Sequence, residues 1–111
     1  MNWIILDSPG IIPEIKSISE IERVFIFIHS PRNSINYVVK FLLEREWNSG
    51  EMNMKTYIVN IDNNNDLSAE IEKEFGTGIE FPQALIIEKG KTVFNASYGR
   101  ILFSELKKFS N

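Results

Sequence analysis

The sequence contains no cysteine. Without a thiol the chain forms no disulfide, and it cannot itself perform thiol–disulfide exchange, because a thiolate is the attacking group in that reaction. The chain also has a single histidine, His29, and one imidazole without cysteine is too few ligands for a zinc site. We therefore expect no metal site and no cofactor.

Two further absences narrow the class of protein. No block of basic residues is present and the formal net charge is −3, so we expect no nucleic-acid partner. No apolar run approaches the roughly 18 residues that a membrane span needs. The segment Met1 to Asp7 lacks the basic start and the long apolar stretch of a signal peptide. These observations predict a cytoplasmic protein without a membrane partner.

The apolar residues that are present follow an alternation of strands and helices. The pattern predicts strands over 3–6, 23–28, 56–61, 84–87 and 92–96, and helices over 11–18, 34–47, 67–75 and 103–109. A parallel βαβ half followed by an antiparallel hairpin, with helices on both faces, is the thioredoxin-like layout. We predict a single α/β domain over 1–111, with a central mixed sheet of four to five strands flanked by helices on both faces.

The same pattern predicts one helix cap and a set of core side chains. The cap is Asp66, expected as the N-cap of the third predicted helix. The second helix is expected to bury one broad apolar face, and the last helix a smaller one. Those core predictions comprise Ile35, Val38, Val39, Leu42, Leu43 and Trp47 in the second helix, Leu102, Leu106 and Phe109 in the last, and the further aromatic residues Trp3, Phe25, Phe27, Phe41 and Phe94.

Three segments carry a resemblance to a known family. They read His29-Ser30-Pro31-Arg32-Asn33-Ser34-Ile35-Asn36, then Glu80-Phe81-Pro82-Gln83-Ala84-Leu85, then Ser97-Tyr98-Gly99-Arg100-Ile101. In this order and spacing the chain resembles the monothiol bacilliredoxin-like proteins, thioredoxin-fold proteins of the bacillithiol system. The resemblance covers nearly the whole chain and implies a redox enzyme in which the proline matching Pro82 is cis and faces the active-site turn.

The chain departs from that family where the chemistry lies. The reactive cysteine of the family aligns with Asn33, and three neighbouring polar residues align with Ile79, Phe81 and Tyr98. These substitutions argue against redox catalysis, so we expect a protein that is not an enzyme. Either divergence or deliberate replacement would account for Asn33 alone, and the coincident changes favour divergence.

The remnant of the active-site turn comprises His29, Ser30, Pro31, Arg32 and Asn33. Asn33 near the start of a helix permits two interpretations: a helix N-terminus that holds an anion, or an ordinary cap supplied by Asn33 or the following serine. Capping is favoured, because both residue types cap helices well. We expect His29 to order the turn by hydrogen bonding, with pH sensing as the alternative.

The candidate partner-binding residues are Ile79, Phe81, Pro82, Gln83 and Tyr98. The loop matching these residues holds extended peptides through backbone hydrogen bonds in thioredoxin-like proteins, which is a form of strand addition. An exposed Phe81 would form an apolar patch with Ile79 and Tyr98 beside the turn. Alternatively, Phe81 folds inward and fills the space left by the lost polar groups.

The leading hypothesis is a catalytically silent thioredoxin-like protein of this family. It binds a protein partner, or a second copy of itself, through the cis-proline face. One alternative is a redox-related protein of bacillithiol and thiol homeostasis that acts with a partner supplying the cysteine. The other alternative is a structural subunit of a larger assembly, which would bury a larger interface.

Overall fold

The computed structural model describes residues 1–62 and 64–111. The strands are β1 (Trp3–Ile5), β2 (Val24–His29), β3 (Lys55–Asn60), β4 (Gln83–Glu88) and β5 (Lys91–Ser97). The helices are α1 (Ile12–Ser19), α2 (Ser34–Ser49), α3 (Asn65–Phe75) and α4 (Phe103–Leu106), with short 3₁₀ turns at Pro9–Ile11, Tyr98–Arg100 and Lys107–Phe109. Within this described part, no helix has the length and apolar content needed to cross a membrane.

The five strands form one mixed sheet in the order β1-β3-β2-β4-β5. Both β1 and β2 run parallel to β3, whereas β4 runs antiparallel to β2 and to β5. All six residues of β2 are buried, as expected for an apolar central strand covered on both faces. The β4–β5 turn has positive φ at Lys89 and Gly90, which matches the twist of a tight hairpin. The predicted sheet is confirmed.

Helices cover both faces of the sheet and create two cores. One core lies under α1 and α3 and contains Ile15, Leu67, Ile71 and Phe75 together with alternate residues of the strands. The other lies under α2 and α4 and contains Leu43, Trp47 and Leu106 with Phe25, Phe27, Ala84 and Ile86. Because successive strand residues point to opposite faces, each central strand contributes to both cores.

The start of α3 differs from its prediction. The helix begins at Asn65 and its N-cap residue is Asn64, so the assignment of Asp66 as the cap is wrong. Asp66 lies in the first turn instead, where its negative charge favours the helix dipole. The predicted end is confirmed: Gly76 follows with a left-handed φ of 65°, a conformation that glycine adopts readily.

The core prediction for α2 is only partly confirmed. Its buried residues are Asn36, Leu43 and Trp47, which form one narrow strip against the sheet. The side chains of four predicted core residues are exposed by more than 40%, namely Ile35, Val38, Phe41 and Leu42; we call these four the outer α2 face. Leu102 is also exposed, contrary to its prediction. The apolar arc of α2 is thus wider than the area that the sheet covers.

Candidate functional site

Three segments that are distant in sequence meet at one end of the sheet. The last residues of β2 lie beside the first of β4, because Ile28 pairs with Gln83. Gln83 pairs in turn with Ser97 of β5, and the backbone N–H of Tyr98 donates to the carbonyl of Pro82 at 3.1 Å. The turn 29–33, the loop 79–82 and Tyr98 therefore belong to one site.

Asn33 is the N-cap of α2. Its backbone is extended, and its Oδ1 accepts a hydrogen bond from the N–H of Ile35 at 3.1 Å. This bond satisfies one of the amide donors left free at a helix start. The capping interpretation is confirmed, and the side chain that replaces the family's thiol serves the fold.

Hydrogen bonds hold the turn itself in place. The buried Ser30 donates its N–H to Asn36 Oδ1 at 3.0 Å and its Oγ–H to Asp62 Oδ1 at 2.8 Å. The exposed Arg32 lies over the same carboxylate, with Nε 3.8 Å from Asp62 Oδ2. The N–H of Asn33 donates to the carbonyl of Ser30. Asn36 and Asp62 thus anchor the turn, and sequence reasoning missed both.

His29 lies at the end of β2, buried and held by aromatic contacts. Its ring stacks on Phe27 at 5.9 Å between centroids and meets the edge of Tyr37 at 5.1 Å. Among the described residues its Nδ1 has no hydrogen-bond partner, so the prediction that His29 orders the turn by hydrogen bonding is wrong. Burial lowers the pKa of His29 below 6.5 and the charge of Lys40 lowers it further, against the opposing effect of Asp62.

Gln83 is a structural residue of the site. Its side chain is buried, and its Nε2 donates to Asn95 Oδ1 at 2.8 Å and to the carbonyl of Gly78 at 3.0 Å, with a longer bond to Thr77 Oγ1. Its Oε1 accepts from the N–H of Glu80 at 2.8 Å. Burial and internal bonding remove this side chain from the candidate contact surface, so its prediction as a partner contact is wrong. Gln83 instead fixes the loop that precedes Pro82.

Phe81 and Pro82 form the end of this loop that leads into β4. The Phe81–Pro82 peptide bond is cis, and the Pro82 ring is buried. The Phe81 side chain is half-buried and belongs to neither core. Both predictions for Phe81 are therefore wrong: the ring is neither fully exposed nor folded inward into a core. Within residues 1–62 and 64–111, neither the N–H nor the C=O of Phe81 makes a hydrogen bond.

The predicted apolar patch is divided. Ile79 is half-buried and packs against the core under α1 and α3. Tyr98 is exposed and lines a groove between α2 and the segment 98–103, on the opposite face of the sheet. The sheet lies between the core that Ile79 contacts and the groove that Tyr98 lines, so the prediction of a single patch joining Ile79, Phe81 and Tyr98 is wrong.

Comparison of the sequence with known protein families identifies one family. The model of the family described as monothiol bacilliredoxin BrxC matches residues 5–106. The chain belongs to the monothiol bacilliredoxin family. Unlike the family that it resembles, this chain has no cysteine. Position 33, where the resemblance places the reactive thiol, is asparagine. Among curated proteins, none matches the chain.

Solved structures similar to this bacilliredoxin-family chain share the thioredoxin fold. A protein described as a candidate oxidoreductase with a thioredoxin fold is 26% identical, with a TM-score of 0.79, and the match covers 96% of this chain and 91% of that one. Thioredoxin from Fasciola hepatica is 12% identical, with a TM-score of 0.75 and coverage of 96% and 98%. Thioredoxin NaTrxh from Nicotiana alata is 13% identical, with a TM-score of 0.75 and coverage of 98% and 93%. The predicted fold class is confirmed.

The residues that sequence reasoning missed are polar residues in apolar surroundings. Asn36 is the only polar member of the buried strip of α2, and Gln83 opens an apolar strand. A buried polar side chain requires hydrogen-bond partners, so each interruption of an apolar pattern was a signal of an anchoring contact. Asp62 gave no such signal, because an aspartate after a strand is ordinary turn chemistry.

Proposed function

We propose that this bacilliredoxin-family protein binds an extended segment of a protein partner at the loop 79–82 and performs no thiol exchange itself. The carrying observation is the pair of unbonded backbone groups on Phe81, next to a half-buried ring that belongs to neither core. An N–H and a C=O on one residue can pair with an extended strand, as in strand addition. The Phe81 ring supplies apolar contact beside them.

The rigidity of the loop supports this proposal. Gln83 bonds the loop backbone on the side of Gly78 and Glu80, and the carbonyl of Pro82 accepts from Tyr98. These bonds engage the N–H of Glu80 and the carbonyls of Gly78 and Pro82 inside the protein. A site already held in its binding conformation loses less conformational entropy when a partner associates.

The chemistry of position 33 supports a non-catalytic role. The carboxamide of Asn33 is not a nucleophile, and its oxygen is engaged in capping α2. His29 is the nearest base in sequence, and the hydroxyl of the adjacent Ser30 donates to Asp62 at 2.8 Å, so that hydroxyl is engaged with Asp62 and is not paired with His29 as a nucleophile would be. Position 33 therefore cannot form a mixed disulfide with a partner.

A second candidate is a redox-related role in which the partner supplies the cysteine. Membership of the monothiol bacilliredoxin family favours it. The two candidates differ in their need for a free thiol on the partner. Blocking all thiols in a lysate of the native host with N-ethylmaleimide leaves partner recovery unchanged under the binding proposal. Loss of recovery after blocking would favour the redox-related role.

The proposal is tested by recovery of partners from that lysate with two variants. Phe81→Asp introduces a charge beside the free backbone groups and should reduce recovery of a stoichiometric partner at least tenfold. Val93→Asp, at an exposed position of β5, is the matched control and should recover as much as the unmodified protein. Equal recovery by Phe81→Asp would place the interface elsewhere and overturn the proposal. So would the absence of any stoichiometric partner.

A further inference from the structure

All the sulfur of this chain lies in one cleft. The three methionines Met1, Met52 and Met54 are its only sulfur-containing residues, and all three line a surface cleft of about 420 Å³ beside Trp47; we call it the methionine cleft. It lies where β3 begins, at the opposite end of the sheet from the loop 79–82. The proposed partner site therefore does not account for this cluster.

The three methionine side chains are both reachable from solvent and packed against the protein. Each is half-buried, so a small oxidant dissolved in water reaches the cleft, and each packs against the core under α2 and α4. Hydrogen peroxide oxidises such thioethers. One oxygen passes from the peroxide to sulfur, so that the thioether becomes a sulfoxide and the peroxide is reduced to water. The new S=O group is polar, and burying it without a hydrogen-bond partner is unfavourable.

Met52 and Met54 belong to the loop 50–54, which joins α2 to β3. Within this loop Glu51 has a positive φ of 54°, a backbone conformation that is uncommon for residues other than glycine. Such a conformation persists only where the surrounding structure holds it in place. Because both methionines pack against the core, their side chains supply part of that hold. A sulfoxide on either side chain would weaken it.

The same loop anchors the C-terminal segment 107–111. The N–H of Asn53 donates to Ser110 Oγ at 2.8 Å, and the carbonyl of Asn53 accepts from the N–H of Asn111 at 2.9 Å. Asn53 lies between the two loop methionines in sequence, so a shift of their side chains displaces the residue that makes both bonds. Loss of these two bonds would free the segment from the loop.

We propose that the methionine cleft is an oxidation site, and that sulfoxide formation at Met52 or Met54 releases the segment 107–111 from the loop 50–54. The shared cleft, the packing of half-buried thioethers and the hydrogen bonds between loop and segment carry this assignment. Methionine sulfoxide reductases convert the sulfoxide back to the thioether, so the release is reversible. Oxidation and partner binding involve opposite ends of the sheet and are separate properties.

Treatment of the folded protein with hydrogen peroxide, followed by limited digestion with trypsin, tests the release. Peptide mass spectrometry locates each sulfoxide as one added oxygen. After oxidation of Met52 and Met54 we expect cleavage after Lys108 to become at least tenfold faster, because the segment around it opens locally. Cleavage after Lys89, in the β4–β5 hairpin, should keep its rate. Unchanged cleavage after Lys108, or equal acceleration at both lysines, would overturn the inference.

A variant without the two loop thioethers separates their role from that of Met1. Leucine is close to methionine in volume and is usually tolerated in its place, and it has no sulfur to oxidise. Met52→Leu/Met54→Leu should therefore fold, and its cleavage after Lys108 should be the same with and without peroxide. Equal peroxide sensitivity of this variant and the unmodified protein would assign the effect to Met1 and overturn the role of the loop. So would a peroxide concentration that oxidises free methionine but leaves both loop methionines unmodified.

Discussion

At position 33 the chain carries a carboxamide where its family is expected to carry a thiol, and that one side chain changes the chemistry of the site. The oxygen of Asn33 accepts from a helix amide. His29 and Gln83, in the same site, are both buried, but the polar atoms of their side chains differ in hydrogen bonding. Gln83 has hydrogen-bond partners for its oxygen and its nitrogen, whereas His29 relies on aromatic contacts.

The single histidine gives a clean titration. We expect the pKa of His29 to lie below its ordinary value of 6.5, because burial and the positive charge of Lys40 disfavour the imidazolium. The unfolded chain then binds more protons than the folded one between the folded pKa and 6.5. The free energy of unfolding is therefore highest above pH 6.5 and falls as the pH drops through the folded pKa.

This titration is measured by NMR from the one imidazole resonance, and the stability by urea unfolding at several pH values. His29→Phe, which keeps an aromatic ring against Phe27 and Tyr37, should lose this part of the pH dependence. A measured pKa at or above 6.5, or an unchanged pH dependence in the variant, would contradict the account of His29.

Gln83→Leu should destabilise the protein by about 2 kcal/mol, because it removes the partners of several polar groups at once. The groups affected include the N–H of Glu80 and the carbonyl of Gly78. Chemical denaturation measures the loss. The control is Asn95→Ala, which removes one bond of Gln83 and one bond to Thr77 but leaves the loop backbone bonded to Gln83, and it should cost less. A loss for Gln83→Leu no larger than that for Asn95→Ala would refute the structural role of Gln83.

At the scale of elements, α2 connects the site to the rest of the fold. It begins at the capping Asn33, presents Asn36, Leu43 and Trp47 to the sheet, and leaves its outer face uncovered. The cap thus fixes where the helix starts, whereas packing against the sheet determines which of its residues are buried.

Replacing the cap tests this relation. Asn33→Ala should lower the free energy of unfolding by about 1 kcal/mol, because the N–H of Ile35 loses its acceptor. Asn33→Asp should retain or exceed the original stability, since aspartate caps equally well and its charge favours the helix N-terminus. Thermal or urea unfolding of the three proteins provides the comparison. Equal stability of Asn33→Ala and the unmodified protein would rule out the capping role.

The same helix shows where sequence reasoning succeeds and where it stops. Its existence and its first turns were predictable, because apolar residues recur at helical spacing and Asn33 is a good cap. Which part of a wide apolar arc faces the sheet was not predictable. Leu43 and Ile35 have the same chemical character, and only the packing direction of α2 separates the buried residue from the exposed one.

At the scale of the whole molecule, the mixed character of the sheet follows from strong local signals. The apolar run of β2 requires cover on both faces, and Gly90 marks the hairpin that makes the sheet mixed. The site was harder to predict than the fold. Its segments were identified, but the division of Ile79 and Tyr98 between opposite faces depends on side-chain packing that no motif records.

The molecule therefore combines a thioredoxin fold, a site without a thiol and an outer α2 face that the sheet does not cover. The loop 79–82, at the end of the sheet, is proposed to bind a partner.

The central claim, that the backbone of Phe81 holds a partner segment, is tested most directly by amide hydrogen exchange. The exchange rate of the Phe81 N–H is measured with and without the partner recovered by the unmodified protein. We predict strong protection of this amide on binding, because its free N–H gains an acceptor on the partner strand. An unchanged Phe81 amide with protection elsewhere on the surface would contradict the account.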